Sequence, residues 1–246
     1  VQHLLAANSL RDYRSLVLEL RPVGYWPLDG SGSAVVGPSG TLGGGPGPAV
    51  ARPLVPGRGR GLLFDGDDDR VDLGTIEPDD PLSLAASPFT ICAWIHVSTA
   101  AMDNYARVID RSDGGQGANG WNLILQADGS VPDTDGIARI EINVNTTRFN
   151  SNAAVYTRGQ THFVAGRVTA DTYAIFVDAV DVGGTYLSGA HQLPPATTTG
   201  CRIGTWNHST AREFRGTMQH VAVFNRGLAA DEIVALYKGG LHGRSQ

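Results

Sequence analysis

A chain of 246 residues, 41% hydrophobic and 17% charged, has the apolar mass for a core and too little charge to remain disordered. Its net charge of −5, from 19 Lys and Arg against 24 Asp and Glu, offers no basic stripe to track a phosphate backbone, which argues against nucleic acid as a partner. No stretch reaches the ~18 uninterrupted apolar residues of a membrane span, and two cysteines, Cys92 and Cys201, are too few for a disulfide scaffold or a cysteine zinc site.

In chain order, Val1 to Asn8 lack the basic n-region and the apolar run of an uncleaved secretory signal, which leaves open a start after a removed Met or after a removed signal. Ser9-Leu10-Arg11-Asp12 has the form of a capping box, and Leu10, Tyr13, Leu16, Val17 and Leu20 follow at helical spacing until Pro22 forbids continuation. Residues 1–24 are therefore expected to be a helical segment ahead of a main domain at 25–246. A Gly/Pro-rich stretch at about 37–61 reads as irregular loop or extended arm. It holds few residues able to bury apolar area, so ordering it at roughly 1–2 kcal/mol per residue requires outside help. The expectation is that Leu42, Leu54 and Val55 contact a neighbouring subunit.

From residue 89 the period changes to two. Phe89, Ile91, Ala93, Ile95 and Val97 alternate with Thr90, Cys92, Trp94 and His96, and 121–125, 137–145, 162–168, 173–178 and 217–224 read the same way. Gly and Pro together make 45 of 246 residues, about 18% against roughly 12% in average usage, which supplies the turns between many short strands. Leu228, Ile233, Leu236 and Tyr237 form a last helical stripe, with Asp231 and Glu232 at its positive end and Gly239 placed to stop it. The fold class expected is all-β, a two-sheet antiparallel jelly-roll sandwich with a short helix at each end.

Several stretches carry a family resemblance: Val23-Gly24-Tyr25-Trp26-Pro27-Leu28-Asp29, Phe64-Asp65-Gly66 leading to Val71-Asp72-Leu73, Phe89 to Ile95, Gly120 to Leu125, Ile175-Phe176-Val177-Asp178, and Phe214-Arg215-Gly216 followed by Val221 to Ile233. In this order they resemble the laminin G-like domains of the concanavalin A-like lectin and glucanase superfamily, of the kind also found in bacteriophage structural proteins. The resemblance implies two curved sheets and buried positions for Trp94 and Trp121. It also implies acidic residues where this chain has Gln219-His220, a departure that bears on any inherited metal site.

The chemistry-bearing residues are few. Glu141, Asn143 and Asn145 alternate on one strand and are expected to share a face. Asparagine neither donates a proton as an acid nor attacks as a nucleophile, so this set suits hydroxyl binding and lacks the second carboxyl of a glycosidase. Trp206, Asn207 and His208 lie in a polar loop, where an indole can stack on a sugar ring or anchor a partner. Asp110, Asp113, Asp133 and Asp135 are candidate calcium ligands near strand ends, while Asp65-Gly66-Asp67-Asp68-Asp69 departs from the EF-hand pattern and reads as a solvated acidic turn. Gly115 to Gly120 spells a dinucleotide fingerprint but leads into a strand instead of opening a helix, which rejects it.

The leading expectation is a non-catalytic structural or interaction protein on a virion surface, as capsid decoration or tail component, with other protein subunits as partners. The alternatives are a secreted carbohydrate-binding or adhesion module that takes surface glycans with or without calcium, and a glycoside hydrolase or lyase on the same sandwich. No catalytic residues are assigned, and calcium is the one candidate cofactor.

Overall fold

Asp12 sets the start of the first element. Its carboxylate accepts the Arg14 backbone N–H at 2.6 Å, and helix α1 runs Tyr13–Glu19. The computed structural model describes residues 12–45, 47–48, 53–55, 59–100, 102–114, 117–127, 137–152, 155–208 and 212–241. The expected cap at Ser9 lies outside these residues.

The strands that follow are β1 (Gly24–Trp26), β2 (Thr41–Gly43), β3 (Gly47–Pro48), β4 (Leu62–Asp65), β5 (Arg70–Ile76), β6 (Phe89–Val97), β7 (Ala106–Arg111), β8 (Trp121–Ala127) and β9 (Ile137–Val144). The second half of the chain supplies β10 (Thr147–Asn150), β11 (Tyr156–Thr157), β12 (Thr161–Val168), β13 (Tyr173–Val177), β14 (Val180–Asp181), β15 (Thr185–Ser188), β16 (Thr199–Ile203) and β17 (Arg215–Phe224), then helix α2 (Ala230–Leu241). They form two antiparallel sheets. Sheet A is ordered β14-β13-β12-β6-β17-β4-β3 with β1 also on β17; sheet B is ordered β15-β10-β9-β8-β7-β16-β5-β2 with β11 also on β9. The fold is the expected all-β sandwich.

The main core lies between the sheets, where Phe89, Ile91, Ala93, Ile95 and Val97 of β6 meet Trp121, Leu123, Ile140 and Ile142 of sheet B. The polar-looking alternates of β6 are buried too. Cys92 and Trp94 join Tyr13, Leu16, Val17, Ile233 and Leu236 in a second core on the outer face of sheet A. The two helices thus cover one outer face, so β6 is buried on both sides. This leaves the outer face of sheet B for a site.

Gly239 does not stop the last helix, which continues to Leu241. A Cβ at Gly240 would overlap the Trp94 ring, and one at Gly239 would press on Leu16, so the glycines let the helix settle onto sheet A and α1. Trp94 is fixed from both sides: its Nε1 donates to Tyr13 Oη at 3.1 Å and its ring stacks on Tyr237 at 5.8 Å.

The arm expectation is corrected here. Residues 41–43 and 47–48 add an edge strand to each sheet, while Leu54 and Val55, 5% and 1% exposed, belong to the chain's own second core. Their backbone N–H groups both donate to the fully buried Gln219 Oε1, at 2.9 and 3.0 Å. Leu42 alone of the three is exposed, on edge strand β2. For the described residues of the stretch, the help comes from the chain's own sandwich. Gln219 serves this purpose, and neighbouring His220 shares a 2.7 Å hydrogen bond with the Tyr25 hydroxyl.

Candidate functional site

Period-two geometry puts Arg107 on β7, Ile124 on β8, and Glu141 and Asn143 on β9 on the outer face of sheet B, since Arg107 pairs with Ile124 and Ile124 with Glu141. Arg148 on β10 stands opposite Asn143. With Tyr105 and Arg212 from flanking loops, these residues line a cleft of about 200 Å³.

Its charges are held tightly. Glu141, 1% exposed, receives Arg148 Nε at 3.1 Å and Nη2 at 2.7 Å, a two-pronged pair that raises the Arg148 guanidinium pKa. Arg107 is fully buried; its Nε donates to Asp110 Oδ2 at 2.8 Å and its Nη1 to the Tyr105 carbonyl. Asp110 also accepts from Ser112 Oγ at 2.7 Å and Asn122 Nδ2 at 3.1 Å. Burial works against both charges, raising the Asp110 carboxyl and lowering the Arg107 guanidinium, and their mutual attraction opposes it.

Tyr105 lies between two cations, with the guanidinium carbons of Arg148 and Arg212 each 5.6 Å from its ring centre. Arg212 also lies 4.4 Å over the Trp206 ring and makes no ion pair among the described residues. Three buried donors or acceptors are left without protein partners at this face: both side-chain atoms of Asn143 and Nη2 of Arg107.

The sequence candidates divide accordingly. Glu141 and Asn143 come together in the cleft, whereas Asn145 stands in the β9–β10 turn at φ +44 and donates to Gln192 Oε1 at 2.8 Å. Trp206 borders the cleft through Arg212, its indole N–H donating to the Gly114 carbonyl at 3.3 Å. Asn207 ties loops together by donating to the Ser112 carbonyl at 2.9 Å, and His208 is exposed, 3.8 Å from Asp113. Among the calcium candidates, Asp110 is taken up by Arg107, Ser112 and Asn122, and Asp113 faces His208; Asp133 and Asp135 lie outside the described residues. Tyr105, Arg107, Arg148 and Arg212 were not among the sequence candidates. The available signal was the run Ala106-Arg107-Val108-Ile109-Asp110-Arg111, where charges of both signs interrupt an apolar strand.

Beside Arg212, burial pushes the Glu213 carboxyl up to about 7, with Asp103 and Asp68 adding to the shift and a Thr205 hydrogen bond opposing it. An acid whose pKa is raised by folding stabilises the fold below its unfolded value near 4.5, and that contribution is lost as pH rises through 7. Glu213→Gln should therefore melt progressively higher than the parent as pH goes from 5 to 8, and match it at pH 4. A melting difference independent of pH would contradict this.

Two antiparallel sheets packed face to face, one outer face covered by helices and the other bearing the cleft, define a β-sandwich domain. The chain belongs to the concanavalin A-like lectin/glucanases superfamily, whose family model matches residues 65–234. Among solved structures it is similar to domain 4 of an extracellular GH43 arabinanase from Geobacillus stearothermophilus, seen with arabinotriose; TM-score 0.63, 13% identity, 88% of this chain and 98% of that one. It is similar to the CBM40 of a Ruminococcus gnavus sialidase bound to sialyllactose, with TM-score 0.52 and 14% identity over 72% of this chain and 95% of that one. It is also similar to Trypanosoma rangeli sialidase, at TM-score 0.58 and 17% identity, covering 88% of this chain but only 32% of that protein. No curated protein matches the sequence. Among the described residues no helix is long and apolar enough to cross a membrane.

Proposed function

We propose that this chain is a non-catalytic, extracellular carbohydrate-binding domain whose ligand is a carboxylate-bearing sugar held in the sheet B cleft. The observation that carries the reading is the set of buried, partnerless polar groups at the cleft, the Asn143 amide and Arg107 Nη2, which a hydroxylated or anionic ligand would satisfy. Arg107 and Arg148 are already paired with Asp110 and Glu141, which leaves Arg212 as the cleft guanidinium with no ion pair among the described residues; it favours an acidic sugar over a neutral one, since a planar guanidinium donates two parallel hydrogen bonds to a carboxylate. Tyr105 offers a ring to stack against.

Binding is favoured over hydrolysis because Glu141 is the one carboxylate among the described lining residues and is already paired with Arg148. The similar structures seen with arabinotriose and sialyllactose support carbohydrate binding over the expected virion-surface setting, and Leu54 and Val55 in the chain's own core weaken the expected docking of this stretch to another subunit.

Calorimetric titration should show sialyllactose or oligogalacturonate binding in preference to arabinotriose. Arg212→Ala, a half-buried loop change, should weaken the acidic ligand about 10- to 100-fold, the equivalent of one or two charge-assisted hydrogen bonds. Equal affinity for neutral and acidic sugars would remove the carboxylate, and release of new reducing ends on incubation would make the domain an enzyme.

A further inference from the structure

Strand β7 carries two fully buried arginines that face opposite ways. Arg107 lines the cleft on the outer side of sheet B and has Asp110 as its counter-charge. Arg111 stands opposite Trp121, whose ring belongs to the core between the sheets and meets Phe89 at 5.9 Å, so period-two geometry turns Arg111 inward. On its other flank β16 pairs Arg202 with Asp110, which sets the buried Cys201 beside Arg111. Cys201, Arg111 and Trp121 thus form one row across three neighbouring strands, where β7 ends and β8 begins.

The row is rich in donors and short of acceptors. Arg111 Nη2 donates to the Thr197 carbonyl, while its Nε and Nη1 are enclosed with no partner. Trp121 Nε1 is enclosed without a partner as well. The other two core indoles are satisfied, Trp26 by the Pro38 carbonyl at 2.9 Å and Trp94 by Tyr13 Oη at 3.1 Å. No carboxylate answers the Arg111 charge with an ion pair among the described residues. Asp80, the carboxylate whose charge reaches it, uses its Oδ1 to accept the Leu82 N–H at 2.7 Å as the cap of a short 3-10 turn. Burial meanwhile lowers the Arg111 pKa, as expected of a charge short of compensation.

A buried guanidinium stays protonated, so its charge has to be met inside the fold. Water would take up the N–H groups and leave the charge; an anion does both. Enclosure of all three nitrogens excludes a sugar or other large acid and selects a monatomic ion. Chloride accepts from several N–H groups at once and donates none, which suits this row.

We infer that Arg111 and Trp121 hold a chloride ion inside the sandwich, on the face of sheet B opposite the sugar cleft. The ion neutralises Arg111 and ties β7 to β8, the strands whose other face supplies Arg107 and Ile124 to the cleft. The site is separate from the cleft and stands whether or not a sugar binds there.

The test is thermal melting of the full chain in sodium gluconate, titrated with sodium chloride at constant ionic strength. Chloride should raise the melting temperature saturably, by roughly 5–10 °C at a hundred-fold excess over its dissociation constant, and bromide should replace it. Crystals grown in bromide should show an anomalous peak between Arg111 and Trp121, which reads the site in the unmodified chain. Trp121→Phe keeps a ring against Phe89 and removes one donor, so the chloride dissociation constant should rise about 10-fold. Arg111→Met should abolish the chloride shift. A melting point indifferent to chloride, a shift that Arg111→Met retains, or bromide crystals with no peak at this pair would overturn the site and leave water as the partner of these nitrogens.

Discussion

Arg107→Met should lower the stability of the domain by about 3–5 kcal/mol, the cost of stranding a buried charge by removing its partner. Asp110 is fully buried, and losing Arg107 Nε would leave it with Ser112 and Asn122 as its donors and no counter-charge. Methionine fills similar volume along the strand, so the loss reports the charge more than a cavity. Urea unfolding should show a lower midpoint with an unchanged slope. Arg107→Met with Asp110→Leu should recover part of the loss, because the stranded charge is gone, although Ser112 and Asn122 then lose an acceptor. A loss below about 1 kcal/mol in the single variant would mean that water reaches Asp110 and that the pair is not the buried one described.

The pair also shows how far the sequence could be read. Alternation along β6 announced a strand facing a core, and Gly and Pro announced the turns, because these signals depend on local backbone preference and on one buried face. Burial of the other face of β6 depends on α1, α2 and Leu54 arriving from remote parts of the chain, so alternation alone left Cys92 as an ordinary alternate, and the burial of Trp94 was implied only by the family resemblance. The site divides in the same way. Glu141 and Asn143 were visible as a period-two pair on one strand, whereas Arg107, Arg148 and Arg212 meet only through sheet pairing and loop return. Asn145 broke the pattern because the strand ends at Val144 and the next residue turns to positive φ, which a period-two reading cannot see.

Gln219→Leu should destabilise the domain by roughly 2–6 kcal/mol, since two buried backbone N–H groups, those of Leu54 and Val55, would lose their shared acceptor at about 1–3 kcal/mol each. Local release sets the ceiling. If residues 53–55 swing into water, their N–H groups are rehydrated, and the cost becomes the apolar burial of two side chains, about 1.5–3 kcal/mol each. The two routes are of similar size, so hydrogen exchange distinguishes them: release would speed exchange at Leu54 and Val55 ahead of β6, while retention would weaken all core amides together. Either outcome puts the effect within one chain. Were this stretch held by a neighbouring subunit, Gln219→Leu would instead leave the stability of the isolated chain unchanged and alter its oligomeric state on sizing, and the account of the segment as part of its own sandwich would have to be abandoned.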